Sequence, residues 1–247
     1  MFMKMKSLVM LACALVIVSS MVFGSIAYLT DRTGVVNRFT VGNVDIVVDE
    51  TLVGANGEPV YPDGFTAESG VLPKRTETAN EYPLIPGAEY IKDPTLTVKA
   101  GSEEAYVRMV VTISSMKEIK EIFAELAVQY PAKYAAGFVP QNHVSGADAT
   151  AWTFVGMTEN DVSNTFTLEY RYPVAVKPAA DADTVLPSLF KTIKVPGELT
   201  NAQLSKLSNF TIEVYGNAIQ TTGFVTADDA WAAFDAQLIA TGAVVTP

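Results

Sequence analysis

Apolar and polar residues alternate along much of the chain, which is the pattern of β-strands with one buried face. Val107, Met109, Val111 and Ile113 give the clearest case, because mostly polar residues stand between them. The alternation marks at least six segments, namely 44–48, 95–99, 107–113, 166–171, 190–195 and 210–215. Turns rich in Gly and Pro separate these segments. The pattern therefore predicts a mainly β protein, a sandwich of two antiparallel sheets.

Three segments carry apolar residues at helical spacing instead. The first begins at Ser115, where Glu118 completes a capping box, and Pro131 ends it. The second begins at Thr200 with a similar box, and the third begins near Thr226 with two acidic residues in its first turn. Each apolar stripe is one face wide, so we expect a few short helices that cap the sandwich rather than membrane or partner helices.

Residues 51–82 interrupt the strands with a long inserted loop that contains seven Gly and Pro residues. Loops of this length are usually functional or mobile. Residues 177–187 form a smaller loop of the same kind. Both are expected to lie within one domain that covers residues 28–247.

The first 27 residues have the order of an export signal. Two lysines precede an apolar run over residues 8–23, and Ser25 and Ala27 then supply the small-x-small pattern that a signal peptidase needs. We expect residues 1–27 to form a signal-peptide helix that is cleaved before Tyr28. The chain would then be secreted, and it would contact the membrane only before cleavage.

Two alternatives to cleavage stay open at this stage. The apolar run is intermediate in length between a signal-peptide core and a spanning helix, so it could remain as an uncleaved anchor. Leu11-Ala12-Cys13 also resembles a lipidation site, although lipidation at Cys13 would leave an apolar core too short for export.

Charge and cysteine content narrow the function further. The chain has 17 basic and 27 acidic residues, a single cysteine and a single histidine. Removal of residues 1–27 leaves 15 basic residues (17 less two lysines) and no cysteine, for a net charge of −12. An acidic surface argues against binding to nucleic acid or anionic lipid. Without disulfides, stability must come from a packed core, for which about 220 residues suffice.

The residues offer little to a catalytic site. A zinc peptidase needs about three protein ligands and a general base, whereas His143 is the only histidine and is expected in an exposed surface turn. Asp181 and Asp183 could hold calcium, but two acids in a loop are usually only solvated. We therefore expect no catalytic residues, no metal site and no cofactor.

Three blocks of sequence share motifs with a known family. The first block is Ala-Tyr-Leu-Thr-Asp at 27–31 together with residues 37–46. The middle block consists of residues 84–87, 92–95 and 105–108. The third block consists of residues 217–220, 223–224 and 230–231. These blocks resemble the "AYFTD…NTFTAGTLDL", "PGD…KDPTVTN…AYVR" and "YAIQADGF…AW" motifs of the TasA/camelysin (CalY)-type family, which Gram-positive bacteria secrete. Residues 115–205 carry no motif of that family.

The resemblance implies a jelly-roll fold and processing by a SipW-type signal peptidase. It also implies one of two functions, because TasA-type members are biofilm matrix proteins that form fibres, whereas camelysin is described as a surface metallopeptidase. The lack of zinc ligands favours a secreted structural protein of the extracellular or biofilm matrix. Its expected partners are further copies of itself and other matrix proteins, and a monomeric cell-surface adhesion module is the other alternative.

Cleavage after Ala27 would free a strand-like segment that could pair with the sheet edge of a neighbouring subunit. We predict Tyr28, Leu29, Thr30 and Asp31 as this donor strand. The alternative is that residues 28–37 form the first strand of the chain's own sheet. For residues 39–49 the intramolecular strand is the favoured interpretation.

Overall fold

The computed structural model describes residues 30–33, 38–40 and 44–240. The predicted signal peptide, with Ser25 and Ala27, lies outside the described residues, as do Tyr28 and Leu29. The strands are β1 Thr30–Thr33, β2 Arg38–Thr40, β3 Ile46–Thr51, β4 Arg75–Thr76, β5 Glu89–Ile91, β6 Thr95–Val98, β7 Ala105–Ile113, β8 Val144–Ser145, β9 Thr153–Asn160, β10 Thr165–Arg171, β11 Thr184–Val185, β12 Thr192–Lys194 and β13 Ile212–Gln220. The helices are α1 Met116–Gln129, α2 Pro131–Tyr134, α3 Asn201–Lys206 and α4 Ala227–Ala240.

The strands form three antiparallel sheets. Six strands make the largest sheet, in the order β2-β1-β13-β7-β10-β9. Four strands form a second sheet, β11-β6-β3-β4, and three form a third, β5-β12-β8. The prediction of a mainly β chain with antiparallel sheets and a few short helices is confirmed.

The core lies between the six-stranded and four-stranded sheets, where strand alternation turns one side chain in two inward. On β7 these inward residues include Val107 and Met109, which have no solvent exposure. Gly216 of β13 explains how closely the sheets approach each other. A Cβ atom at this position would lie 2.6 Å from Cγ2 of Val48 and 3.0 Å from Cδ1 of Leu96. A side chain larger than hydrogen would therefore push the sheets apart.

Helix α1 covers one end of this core with an apolar face, but it does not begin as predicted. Ser115 has a φ of 59° and its side chain makes no capping hydrogen bond. Asn164 replaces it, because its Oδ1 accepts from the backbone N–H of Lys117 at 2.8 Å and its backbone oxygen accepts from Met116. The capping box of Ser115 and Glu118 is therefore wrong, and Glu118 instead accepts a hydrogen bond from the Asn164 amide.

The other two predicted helices begin as the sequence indicates. Thr200 caps α3 through a complete capping box with Gln203. The Thr226 hydroxyl accepts from the backbone N–H of Asp229 at 3.1 Å at the beginning of α4. Within the described part of the chain, no helix has the length and apolar character that a membrane span needs.

Helix α4 gives the six-stranded sheet a second covered face. Trp231 and Phe234 are 1% exposed and pack with Ile219 of β13. The sheet is therefore buried between the core on one side and a helix on the other, at the level of β13 and β7.

Candidate functional site

Two of the four predicted donor residues, Thr30 and Asp31, lie in a strand of the chain's own sheet. In β1, Thr30 lies opposite Ile219 and Thr33 lies opposite Gly216, so the strand pairs with β13 over four residues. On its other side, β1 pairs with the short strand β2, where Asp31 lies opposite Thr40. Thr30 and Asp31 are thus arranged as in the intramolecular alternative, while the other two predicted donor residues lie outside the described part of the chain.

The two edges of this sheet are β2 and β9. The alternation pattern did not predict strand β9. Phe154, Val155 and Met157 are 42%, 48% and 38% exposed along this eight-residue edge. The register with β10 shifts between Glu169 and Tyr170, which leaves Val155 as the extra residue of a β-bulge. The bulge interrupts the alternation of apolar and polar residues, so the usual strand signal is lost there.

The middle and third family-like blocks meet where β7 pairs with β13. Arg108 lies on β7 directly opposite Asn217 of β13, and its guanidinium lies 4.5 Å from the centre of the Trp231 ring. Its Nη2 donates to Oδ1 of Asp235 at 2.5 Å, and the Arg108 side chain is only 5% exposed. An arginine between a carboxylate and an indole ring fixes α4 to the sheet. These contacts therefore tie α4 to β7, next to β13.

The middle family-like block anchors the long loop. Asp93 accepts from the backbone N–H of Thr51 at 2.6 Å and from Nη1 of Arg75 at 2.8 Å. Arg75 also donates through Nε to Asp49. Although burial opposes the charge, these hydrogen bonds raise the pKa of Arg75 above its ordinary value. Residues 51–82 are consequently tied to β3, with β4 pairing to its end.

A second polar contact in this block joins the buried residues Lys92 and Glu50 to the partly buried Asn80. Nζ of Lys92 lies 2.7 Å from Oε2 of Glu50, and the Asn80 amide donates to the other carboxylate oxygen at 2.7 Å. Burial and the Glu50 carboxylate raise the pKa of Tyr82, whose hydroxyl donates to the backbone oxygen of Ile91. No local sequence pattern marks Glu50 or Asn80, because their partners are distant in the chain.

His143 lies at the end of a short 3-10 helix, Pro140–His143, and is partly buried. Its ring stacks on Phe138 with 5.5 Å between ring centres and meets the edge of Phe123 at 5.2 Å. Burial lowers the pKa of His143, and a hydrogen bond with the Lys194 backbone partly opposes this shift. The expectation of an exposed turn residue is wrong, because an aromatic cluster covers the imidazole.

Metal-binding groups do not converge anywhere in the described ranges, where no cluster of three or more His, Cys, Asp or Glu is found. Asp183 accepts from Nζ of Lys99 and from the backbone N–H of Ala100 at 2.8 Å. These two bonds lower the pKa of the Asp183 carboxyl. The carboxylate therefore ties the loop of residues 177–187 to the end of β6, next to β11.

Comparisons of the chain with protein-family models, curated proteins and solved structures found no match.

Proposed function

We propose that this protein is a secreted structural subunit of the extracellular or biofilm matrix, and that it polymerises into fibres by exchange of β1. One observation carries the proposal. Within the described residues, strand β1 is four residues long and joins its own sheet through strand pairing with β13 and β2. Because such pairing depends on backbone groups, β1 of another copy could occupy the same place beside β13.

Cleavage by a SipW-type signal peptidase would control this exchange. While residues 1–27 hold the chain at the membrane, β1 cannot reach another subunit. Once Tyr28 is the first residue, the segment is free to leave its own sheet. The fold we propose for the whole sandwich is a jelly roll, as the family resemblance implies, and the location is the matrix or cell surface of a Gram-positive-type bacterium.

The first test removes the exchanging segment. Protein secreted from a host with a SipW-type peptidase is compared with a variant that lacks residues 28–37, by electron microscopy and circular dichroism. We expect the variant to stay folded and to form no fibres, because β13 and its other neighbour β7 are untouched.

Leu29→Asp should slow fibre growth, since burial of an unpaired carboxylate at a subunit joint is costly.

A variant that lacks residues 241–247 is the control, because it loses a chain end and keeps β1. Fibres from the protein without residues 28–37 would place the joint elsewhere. Unfolding of that variant would instead make β1 an ordinary strand of a monomeric surface module.

A peptidase is the competing function, and we expect no such activity. The only histidine, His143, lies against the aromatic rings of Phe123 and Phe138. Purified protein is incubated with casein and added zinc, beside His143→Ala. Hydrolysis that a chelator stops and that His143→Ala lacks would contradict the structural role.

A further inference from the structure

A cavity of about 1000 Å³, partly open to solvent, lies between the inner face of the six-stranded sheet and the elements packed against it. Its walls are mainly aliphatic and aromatic. Val111, Leu168 and Val214 line it from three adjacent strands, and Phe123 and Leu204 line it from α1 and α3. Sites for small molecules are usually apolar cavities of about 300–1000 Å³. The cavity is therefore large enough to hold a small organic molecule.

The cavity also has polar groups in its lining. Lys92 and Glu50 line it as a buried pair that neutralises its own charge. Tyr90 lines it too and is 6% exposed, yet its hydroxyl finds no hydrogen-bond partner among the described residues. Buried hydroxyl groups nearly always have a partner. In this structure the hydroxyl is closed to solvent, so a ligand with a hydrogen-bonding group would supply the missing partner only after a shift of the Tyr90 ring.

The charges at the rim restrict which ligands can enter. Glu77, Glu81 and Glu213 line the cavity and are exposed to solvent, whereas Lys194 is the exposed lysine among the described lining residues. The surplus of carboxylates repels an anion. Within the cavity, the paired Lys92 leaves no free cation to bind one.

We propose that this cavity binds an uncharged, predominantly apolar small molecule that carries a hydrogen-bonding group, and that Tyr90 bonds to that group. This binding would be a function separate from fibre formation, because Val214 of β13 lines the cavity whereas β1 pairs with the later residues Gly216–Ile219. Three features support the assignment together: the volume, the apolar walls and the unpartnered hydroxyl.

The experiment measures binding of Nile red, an uncharged dye, to the full chain by fluorescence titration. The anionic dye anilinonaphthalene sulfonate serves as the charge comparison. Val214→Phe fills the cavity from β13, and Leu204→Trp fills it from the less buried α3 should the first variant fail to fold. Val155→Phe is the matched control, since it adds an aromatic ring on the exposed edge β9. Every variant keeps residues 8–23, so dye held by that apolar run is common to all.

We expect the filling variants to weaken Nile red binding by about tenfold or more, and the control to stay within about twofold. The anionic dye should bind at least tenfold more weakly than Nile red. Equal binding by the folded filling variants and the wild type would overturn the proposal, as would tighter binding of the anionic dye.

A pair of hydroxyl deletions tests the polar contact. Tyr90→Phe should weaken binding of an uncharged ligand that accepts a hydrogen bond, such as Nile red, by several-fold without lowering the denaturation midpoint. Tyr134→Phe should leave binding unchanged and lower the denaturation midpoint. The Tyr134 hydroxyl donates to Glu198 at 2.5 Å, and Tyr134 is not among the described residues that line the cavity. Unchanged affinity in Tyr90→Phe would remove Tyr90 from the proposed site.

Discussion

Strand β13 has two neighbours that are attached to very different degrees. On one side β7 pairs with it over nine residues, from Ile212 opposite Ile113 to Gln220 opposite Ala105. On the other side β1 pairs with it over the four described residues Thr30–Thr33. The β7 side is also fixed from above, because Arg108 connects it to α4 through Asp235 and Trp231. The pairing of β13 with β7 is therefore part of the core, whereas its pairing with β1 is short.

This difference bears on the proposed assembly into fibres. Pairing over nine residues with a covered face cannot open without loss of the core, whereas a four-residue strand can separate at a much smaller cost in free energy. Exchange between subunits is therefore expected at β1. The edge strand β9 is the competing surface, because it is long and exposes apolar side chains.

The largest expected effect comes from locking β1 in place. Arg32 and Asn217 are register partners across β1 and β13. Paired residues of antiparallel strands have Cα atoms about 4.5–5.5 Å apart, which a disulfide can span. Arg32→Cys with Asn217→Cys, in a Cys13→Ser background, should stay monomeric when oxidised and form fibres after reduction. Light scattering and electron microscopy of both states measure the result.

Each single-cysteine variant is the control, since it cannot close the intramolecular bridge. Fibre growth at the same rate by oxidised and reduced double variant would contradict exchange at β1. The joint would then be assigned to β9, where Val155→Lys should stop growth in the same assay.

The second effect tests how firmly the β7 side is held. Arg108→Met keeps most of the side-chain volume but removes the ion pair and the contact with the Trp231 ring. We expect a loss of about 2–3 kcal/mol in the free energy of unfolding, measured by chemical denaturation. Lys120→Met is the matched control, because its pair with Glu159 is about half exposed and should contribute less than about 1 kcal/mol. Equal losses in the two variants would show that α4 is not fixed by Arg108.

The sequence predicted the fold well where side-chain pattern depends on local geometry alone. The alternation at Val107 and Met109 identified β7, and the Thr200 box located α3. It failed where a distant residue intervenes. Asn164 replaces the Ser115 cap from 47 residues beyond its partner Lys117, and no local pattern contains that information.

The candidate sites were less accessible from the sequence. The Lys92–Glu50 pair joins residues 42 positions apart, and only the packed fold brings them to one cavity. The neighbours of His143 come from α1 and from residues just before its own 3-10 helix. Its burial by Phe123 could not be predicted, although Phe138 is near enough in sequence to have suggested an aromatic contact.

The smallest effect concerns His143, which lies in the fixed part of the molecule and away from β1. Burial lowers the pKa of His143 below its unfolded value of about 6.5, with a smaller contribution from the charge of Lys133. Above that pH the imidazole is neutral in both states. As the pH falls below it, the unfolded chain binds the proton more readily, so the free energy of unfolding decreases.

The measurement compares wild type with His143→Phe by urea denaturation between pH 7.5 and pH 5.5, where carboxylates contribute little. We expect the wild type to lose stability over this range and His143→Phe to lose less, because phenylalanine can pack on Phe138 without taking up a proton. Fibre formation by the folded variant should be unchanged, since the cluster packs on Phe166, which lies level with Ile212 and not with the residues of β13 that pair with β1. Parallel pH curves for the two proteins would mean that His143 is solvated in solution. A loss of fibres from folded His143→Phe would show that the fixed core and the exchangeable strand are coupled, contrary to the contrast between the two neighbours of β13.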